Sequence, residues 1–369
     1  MKKNALLLIV LIFTSFSTFA QGEEIWENDE KKKLNNLVLT HPTVSNLKAI
    51  SNLIAKNMIS LSDYRIIGVY HEKERYEYKS SRNYVDTASA LSIDVYFHQF
   101  VDTIHPGLLY RENPLTDDYR KIFNHSEGVI FFGGPDLPPE VYNEKTSLYT
   151  SIYDPYRHYF ELSFLFHLLG GYQNEDFEAL LKENPDYLIY GFCLGMQTMN
   201  VATGGTLIQD IPSEVYDMHY VEDILKLDTS RLHRNYYNRI SMSSDLLSGH
   251  FHRIHLKSSR YSGELNLKNT TPSVYSNHHQ AVDAIGKGFQ VWAASMDGKI
   301  VEGMQHEKYS NVVGMQFHPE AVFLYDAGQN FRLTPDDTVS FTGPQILRET
   351  HSMEFHGKFW ENFQQRLNE

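Results

Sequence analysis

Gly191-Phe192-Cys193-Leu194-Gly195 sets a glycine two residues before and two residues after a cysteine, between one apolar run and the next. Paired glycines suit a strained passage from strand to helix that thrusts the central side chain outward, because a Cβ on either side would collide with the crossing backbone. Upstream, Asp186-Tyr187-Leu188-Ile189-Tyr190 reads as a short buried strand; downstream, Met196, Met199, Asn200 and Ala202 continue at helical spacing. The thiol is therefore expected at a helix N-terminus, where the helix dipole and unpaired backbone N–H groups favour thiolate. Cys193 is the chain's single cysteine. A lone cysteine is commonly a small buried hydrophobe, but that role needs no flanking glycines.

A strand that feeds a helix through such a turn belongs to a layered α/β sheet, and the remaining pattern agrees. Tyr64-Arg65-Ile66-Ile67-Gly68-Val69-Tyr70 reads as the first central strand, with a helix following from Tyr84 to about Phe100. Glu127 to Phe132 is the next strand and runs into Gly133-Gly134-Pro135-Asp136. Tyr159, Leu162, Phe166 and Leu169 predict a helix over Pro155 to Leu169, and a more polar helix is expected between Asn174 and Asn184. His250, Phe251, His252, Ile254 and Leu256 alternate as in strands, and Val312 to Phe317 is the last core strand. A closing helix is expected from about Met353 to Leu367. Alternating strands and helices imply a mostly parallel central sheet with helices on both faces. Residues 133–136, 191–195 and 318–320 then each follow a strand, where such sheets carry their active sites.

The predicted organisation is a signal peptide at 1–20, an N-terminal helical leader at 21–60, a catalytic domain at 61–327 and a C-terminal extension at 328–369 packed on that domain. Lys2 and Lys3, the apolar run from Ala5 to Ile12 and Thr18-Phe19-Ala20 have the form of an export signal cleaved after Ala20. Export to the periplasm or beyond the cell is expected, with no stable membrane insertion after cleavage. Loss of Lys2 and Lys3 leaves 31 basic against 46 acidic residues, a net charge of −15, which argues against nucleic acid as a partner. One cysteine allows no internal disulfide, so stability rests on an ordinary apolar core.

A cysteine nucleophile needs a base, and the base needs a partner for its second ring nitrogen. His318 and Glu320, separated by Pro319, fit those roles, although His-Pro-Glu alone also describes a surface turn. An oxyanion hole needs backbone N–H donors. Leu194 is one candidate, and Gly133 or Gly134 a second, since a glycine pair lets the backbone approach a substrate closely. By itself that pair is a plain turn.

Gly191 to Gln197, Asn200-Val201-Ala202, Gly204-Gly205-Thr206-Leu207 and Gln209-Asp210-Ile211-Pro212 together resemble the elbow region of class I glutamine amidotransferase-like enzymes. The likeness is greatest to their gamma-glutamyl hydrolase branch, including gamma-glutamyl-gamma-aminobutyrate hydrolases. Ser276 to Val282, Asp297 to Glu302 and Gly314 to Glu320 extend it over roughly residues 65 to 325. The resemblance implies a flavodoxin-like layered fold, a triad of Cys193, His318 and Glu320, and attack on a gamma-glutamyl amide through a thioester. It also implies a small-molecule gamma-glutamyl substrate and no cofactor, with Gln197 near the glutamyl group. His278 matches a histidine beside the substrate pocket, where a packed, hydrogen-bonded role is an equal alternative. Leu194 stands where one bacterial branch often has arginine, His158 replaces an aspartate after Arg157, and Tyr275 replaces a usual asparagine.

Two other readings compete with the hydrolase: a glutaminase-type amidotransferase, and a non-catalytic gamma-glutamyl or peptide binding protein on the same fold. A homodimer is left open. Eighteen histidines invite a metal reading. His250, His252, His255 and the pair His278-His279 have no sequence-close Cys, Asp or Glu that completes a zinc spacing, so no metal is expected.

Overall fold

Leu37-Val38-Leu39, Ile66-Ile67 and Val129-Ile130-Phe131 bury consecutive side chains, which requires strands covered on both faces. The computed structural model describes residues 34–87 and 93–369. In chain order it has β1 (Asn35–Thr40), α1 (Val44–Ala55), β2 (Tyr64–His71), α2 (Lys79–Thr87), β3 (Val95–Phe100), α3 (Thr116–Asn124) and β4 (Gly128–Phe131). There follow α4 (Pro155–Leu169), β5 (Leu188–Phe192), α5 (Leu194–Ala202), β6 (Leu207–Ile208), α6 (Ile211–Tyr216) and α7 (Val221–Ile224). The chain then forms β7 (His250–Leu256), α8 (Arg260–Leu265), β8 (Ser273–Ser276), β9 (Ala281–Val282), β10 (Phe289–Ser295), β11 (Val301–His306) and β12 (Val312–Met315). Two helices close it, α9 (Gly343–Glu349) and α10 (Met353–Leu367).

The main sheet is 10-stranded, in the order β3-β2-β1-β4-β5-β12-β11-β10-β7-β8. From β3 to β12 every neighbouring pair is parallel; from β12 to β8 every pair is antiparallel. β5 lies between β4 and β12, with Gly191 opposite Phe131 on one side and Gly314 on the other. The three segments that follow these strands therefore converge at one sheet edge. Ile130, Leu188, Tyr190 and Phe192 share one core cluster with α1 and α10, where Tyr190 meets Phe363 and Phe192 meets Trp360. Phe131 faces the opposite layer and meets Phe164 of α4, while α5 packs over β4, β5 and β12. No helix among the described residues is long and apolar enough to cross a membrane.

The expected helical leader at 21–60 is corrected over its described part. β1 pairs with both β2 and β4 inside the sheet, and α1 buries Leu47, Ala49, Ile50 and Leu53. Tyr64–His71 is thus the second strand, and the domain opens before residue 61. The signal reading at 1–20 lies outside the described residues. The expected helix from Tyr84 to Phe100 is also corrected, because α2 ends at Thr87 and β3 pairs in parallel with β2. A single 3₁₀ turn at Leu180–Lys182 replaces the helix expected over 174–184. α10 occupies the span expected for the closing helix and packs on the core.

Candidate active site

Cys193 takes φ 51° and ψ −104° between the last residue of β5 and the first of α5. A non-glycine residue held there stores on the order of 1–3 kcal/mol, so the surroundings must impose the conformation. They do so through both glycines. A Cβ on Gly191 would lie 2.7 Å from the carbonyl carbon of Gly195, and one on Gly195 only 2.4 Å from the Phe131 oxygen. The Cys193 N–H donates to the Met315 carbonyl at 2.7 Å, and its carbonyl accepts from Gln197 N–H at 3.1 Å.

His318 and Glu320 follow β12, the strand beside the elbow. Glu320 Oε1 lies 2.8 Å from His318 Nδ1, and the His318 N–H donates to the Tyr275 carbonyl at 2.8 Å. The imidazole also interacts with the Cys193 side chain. Burial works against its charged form, but the Glu320 carboxylate and Cys193 outweigh this and raise its pKa well above the ordinary value. The three residues proposed from spacing are therefore together. Tyr275, at the position noted above as usually asparagine, packs its ring 6.1 Å from that of His318.

Gly133 and Gly134 pass beside this group. A Cβ on Gly133 would be 2.6 Å from His318 Cε1 and 3.5 Å from Cys193 Cβ; one on Gly134 would be 2.1 Å from Arg157 Nη1. Buried Arg157 pins this turn. Its Nη2 donates to the Phe132 carbonyl at 2.9 Å and the Gly133 carbonyl at 3.1 Å, and its Nε donates to Glu161 Oε1 at 3.0 Å. Because trans peptides hold N–H opposite C=O, the N–H groups of Gly133 and Gly134 point away from Arg157. Leu194 opens α5, so its N–H is one of the first-turn donors that have no intrahelical acceptor.

Cys193 opens into a cleft of about 510 Å³ whose lining includes Gly134, Asp136, Gln197, Arg234, Arg239 and His278. A smaller cleft of about 240 Å³ on the His318 side is lined by Gly133, Tyr275, Asn277 and Glu320 among others. Gln197 Nε2 donates to the Gln280 carbonyl and Gln316 Oε1, each at 3.2 Å, so its amide is already held. His278 is buried, with Nδ1 2.8 Å from the Gln280 carbonyl. Beside it, His279 bridges Asp136 and Asp210 at 3.0 Å each, and those carboxylates raise its pKa against the opposing effect of burial.

The reading of motifs missed Arg234 and Arg239, which reach the larger cleft from the stretch between α7 and β7. Their local signal is Arg234-Asn235-Tyr236-Tyr237-Asn238-Arg239, two cations among amides and phenols where a solvated loop needs neither. The exposed Tyr149 and Tyr153 on the cleft rim were likewise missed.

A family model described as Peptidase C26 matches residues 65–320. The chain belongs to the Peptidase C26 family. The match begins at the second residue of β2 and ends on Glu320, so it includes the elbow and the His-Pro-Glu segment. A Mycobacterium tuberculosis protein named as a glutamine amidotransferase is 29% identical over 228 residues, 62% of this chain and 61% of its own length. The chain thus spans about three fifths of that relative. A Rickettsia prowazekii protein named as glutamine amidotransferase-like is 27% identical over 239 residues, 59% of this chain and 78% of its own. A solved Thermoplasma acidophilum structure described as a GMP synthase protein aligns over 91% of this chain and 98% of its own at 10% identity, with a TM-score of 0.37.

Proposed function

We propose that this Peptidase C26 member is an exported cysteine hydrolase that cleaves gamma-glutamyl amide or peptide bonds through a thioester on Cys193. The observation that carries the reading is the thiol at a helix N-terminus beside an imidazole whose Nδ1 lies 2.8 Å from Glu320. Glu320 and Cys193 both favour the imidazolium form of His318, the form that can hand a proton to a leaving nitrogen.

In the proposed reaction the Cys193 thiolate attacks the γ-carbonyl carbon, and the oxyanion meets the N–H groups of Leu194 and Gly133 or Gly134. His318 gives its proton to the leaving nitrogen, the C–N bond breaks and the free amine departs. Neutral His318 then takes a proton from water, hydroxide adds to the thioester, and collapse returns the thiolate and releases a free γ-carboxyl group. Arg234 and Arg239, on the lining of the larger cleft, suit the α-carboxylate of a glutamyl group. The smaller cleft on the His318 side suits the leaving amine, since its nitrogen must meet the proton donor. Glutamine is the smallest gamma-glutamyl amide, so ammonia release is a limiting case of the same chemistry.

Incubating the reduced protein with gamma-glutamyl dipeptides, gamma-glutamyl-aminobutyrate, polyglutamates, peptidoglycan fragments and glutamine should release glutamate or its γ-acid product from at least one, read by mass spectrometry. Cys193→Ala should remain folded and lose turnover and the acyl adduct. No cleavage across that panel by folded, reduced protein would overturn the reading. Export is tested separately: cell fractionation should find a chain shortened by the first 20 residues outside the cytoplasm, and an intact cytoplasmic chain sinks that part alone.

A further inference from the structure

His233, His252, His278 and Glu302 come from four separate segments and meet in the interior, with His278 also on the lining of the larger cleft. His233 lies in the stretch between α7 and β7, His252 on β7, His278 after β8 and Glu302 on β11. One ligating atom from each lies within 4.8 Å of the others, and all four residues are buried. His233 Nδ1 is 3.1 Å from Glu302 Oε1, and His252 Nε2 is 3.9 Å from the same oxygen. The His233 ring lies 4.7 Å from that of His252 and 5.0 Å from that of His278.

The hydrogen bonding of this group is incomplete in a particular way. Both Glu302 oxygens, both His233 ring nitrogens and His278 Nε2 are buried without a hydrogen-bond partner. Glu302 is 0% exposed, and a carboxylate buried without donors is strongly disfavoured unless something compensates its charge. One proton shared between Glu302 and His233 would satisfy a single contact and leave the second oxygen, His233 Nε2 and His278 Nε2 as they are. A divalent cation satisfies one donor on every residue at once and balances the carboxylate.

We propose that His233, His252, His278 and Glu302 form a closed, four-coordinate site for a divalent ion of the zinc class. Three imidazoles and one carboxylate are borderline ligands that suit zinc in preference to calcium or magnesium, which take mostly oxygen. Metal–ligand bonds of about 2.0–2.2 Å place tetrahedral donors about 3.3 Å apart, so the group needs a contraction of an ångström or so at its widest pair. The supporting contacts are already in place. His278 Nδ1 lies 2.8 Å from the Gln280 carbonyl, which leaves Nε2 for the metal, and His252 Nδ1 faces the Arg253 carbonyl at 3.3 Å. His252 Nε2 now meets Ser276 Oγ at 2.8 Å, a hydroxyl that can rotate aside. The His278 N–H donates to the His233 carbonyl at 3.0 Å, so two of the ligand-bearing loops are already joined. Four protein ligands leave no open position, which marks the site as structural, fastening the His278 loop of the cleft to β7 and β11.

The full chain, purified without an affinity histidine tag and dialysed against Zn²⁺ and then buffer, should retain about one equivalent of zinc by elemental mass spectrometry. Stripping with dipicolinate should lower Tm by about 5 °C or more, with recovery on adding Zn²⁺. Co²⁺ in its place should give the visible absorption of a tetrahedral ion. His233→Ala and Glu302→Gln should each lose the bound equivalent, whereas changing the exposed His219 and His351 to Ala should not. Folded wild-type protein that retains no zinc, or equal retention by a folded His233→Ala/Glu302→Gln variant, overturns the proposal. Neither readout depends on the substrate or on turnover.

Discussion

Exchanging Glu320 for glutamine preserves an oxygen for His318 Nδ1–H and removes only the charge. The imidazolium then loses the main influence holding its pKa high, so it should deprotonate at lower pH. In the proposed reaction that proton goes to the leaving amine. The alkaline limb of kcat/KM for Glu320→Gln should therefore move to lower pH, with kcat down by about 10²–10⁴-fold. A variant with reduced kcat and an unmoved alkaline limb would mean that Glu320 acts on something other than His318. The glycines of the elbow make a different claim, about space. Ala at position 195 would set its Cβ 2.4 Å from a backbone oxygen in a fully packed layer, which cannot yield as a flexible side chain would. Gly195→Ala should lose about 1–3 kcal/mol in urea unfolding, with slower alkylation of Cys193. These residues were readable from sequence because their constraint is local: a turn, its flanking glycines and a two-residue His-Glu spacing. Arg234 and Arg239 were not, because the amide- and phenol-rich run that holds them does not tell that the fold carries it to a cleft built on an elbow about 40 residues away.

At the level of elements, α4 does more than cover the sheet. Asp154 caps it, and one turn later Arg157 ties it to the Phe132 and Gly133 carbonyls just beyond β4 while pairing with Glu161 four residues on. Thr40 at the end of β1 donates to the same Glu161 oxygen at 2.8 Å, so two strand ends and a helix share one buried pair. Removing only Arg157 strands a buried carboxylate. Arg157→Met is expected to lose about 3–5 kcal/mol, whereas Arg157→Met with Glu161→Leu should regain much of it. The double variant should still turn over poorly, because the Gly133–Gly134 turn has lost its anchor. If the double variant is no more stable than the single one, the pairing account of this helix is wrong. The elements that sequence misassigned fail for related physical reasons. β1 is a six-residue strand whose neighbours are lysines and asparagines, and its burial comes from β2 and β4, which lie far along the chain. β3 is an edge strand with only Phe100 buried, so its mixed pattern is open to a helical period.

Over the whole molecule, β2, β4, β5 and β12 of the parallel half were legible because each announces itself with an apolar run. The antiparallel half was less so, since its partners are set by register across long separations, and the four-residue metal-type cluster exists only through that register. The same packing fixes the response to acid. His167, His306 and His356 are buried, and burial lowers each pKa to about 4. The unfolded chain binds these protons near pH 6.5, the folded chain only near 4. Their contribution is thus fully present above pH 6.5 and is lost as pH falls toward 4, by up to about 3 kcal/mol each. Glu74 opposes them. Burial pushes its pKa up to about 7, so its contribution is present below pH 4.5 and lost as pH rises through 7. With three histidines against that carboxyl, Tm should fall on acidification from pH 7 to 4, most steeply in the lower half of the range. His356→Asn should shallow the slope, because His356 holds only neutral contacts, to the Tyr325 hydroxyl at 3.2 Å and the Ser273 carbonyl at 3.3 Å. Calorimetry of both proteins across that range decides the matter: parallel curves would mean that His356 exchanges its proton with water in the folded state, and that the layer beneath α10 is open.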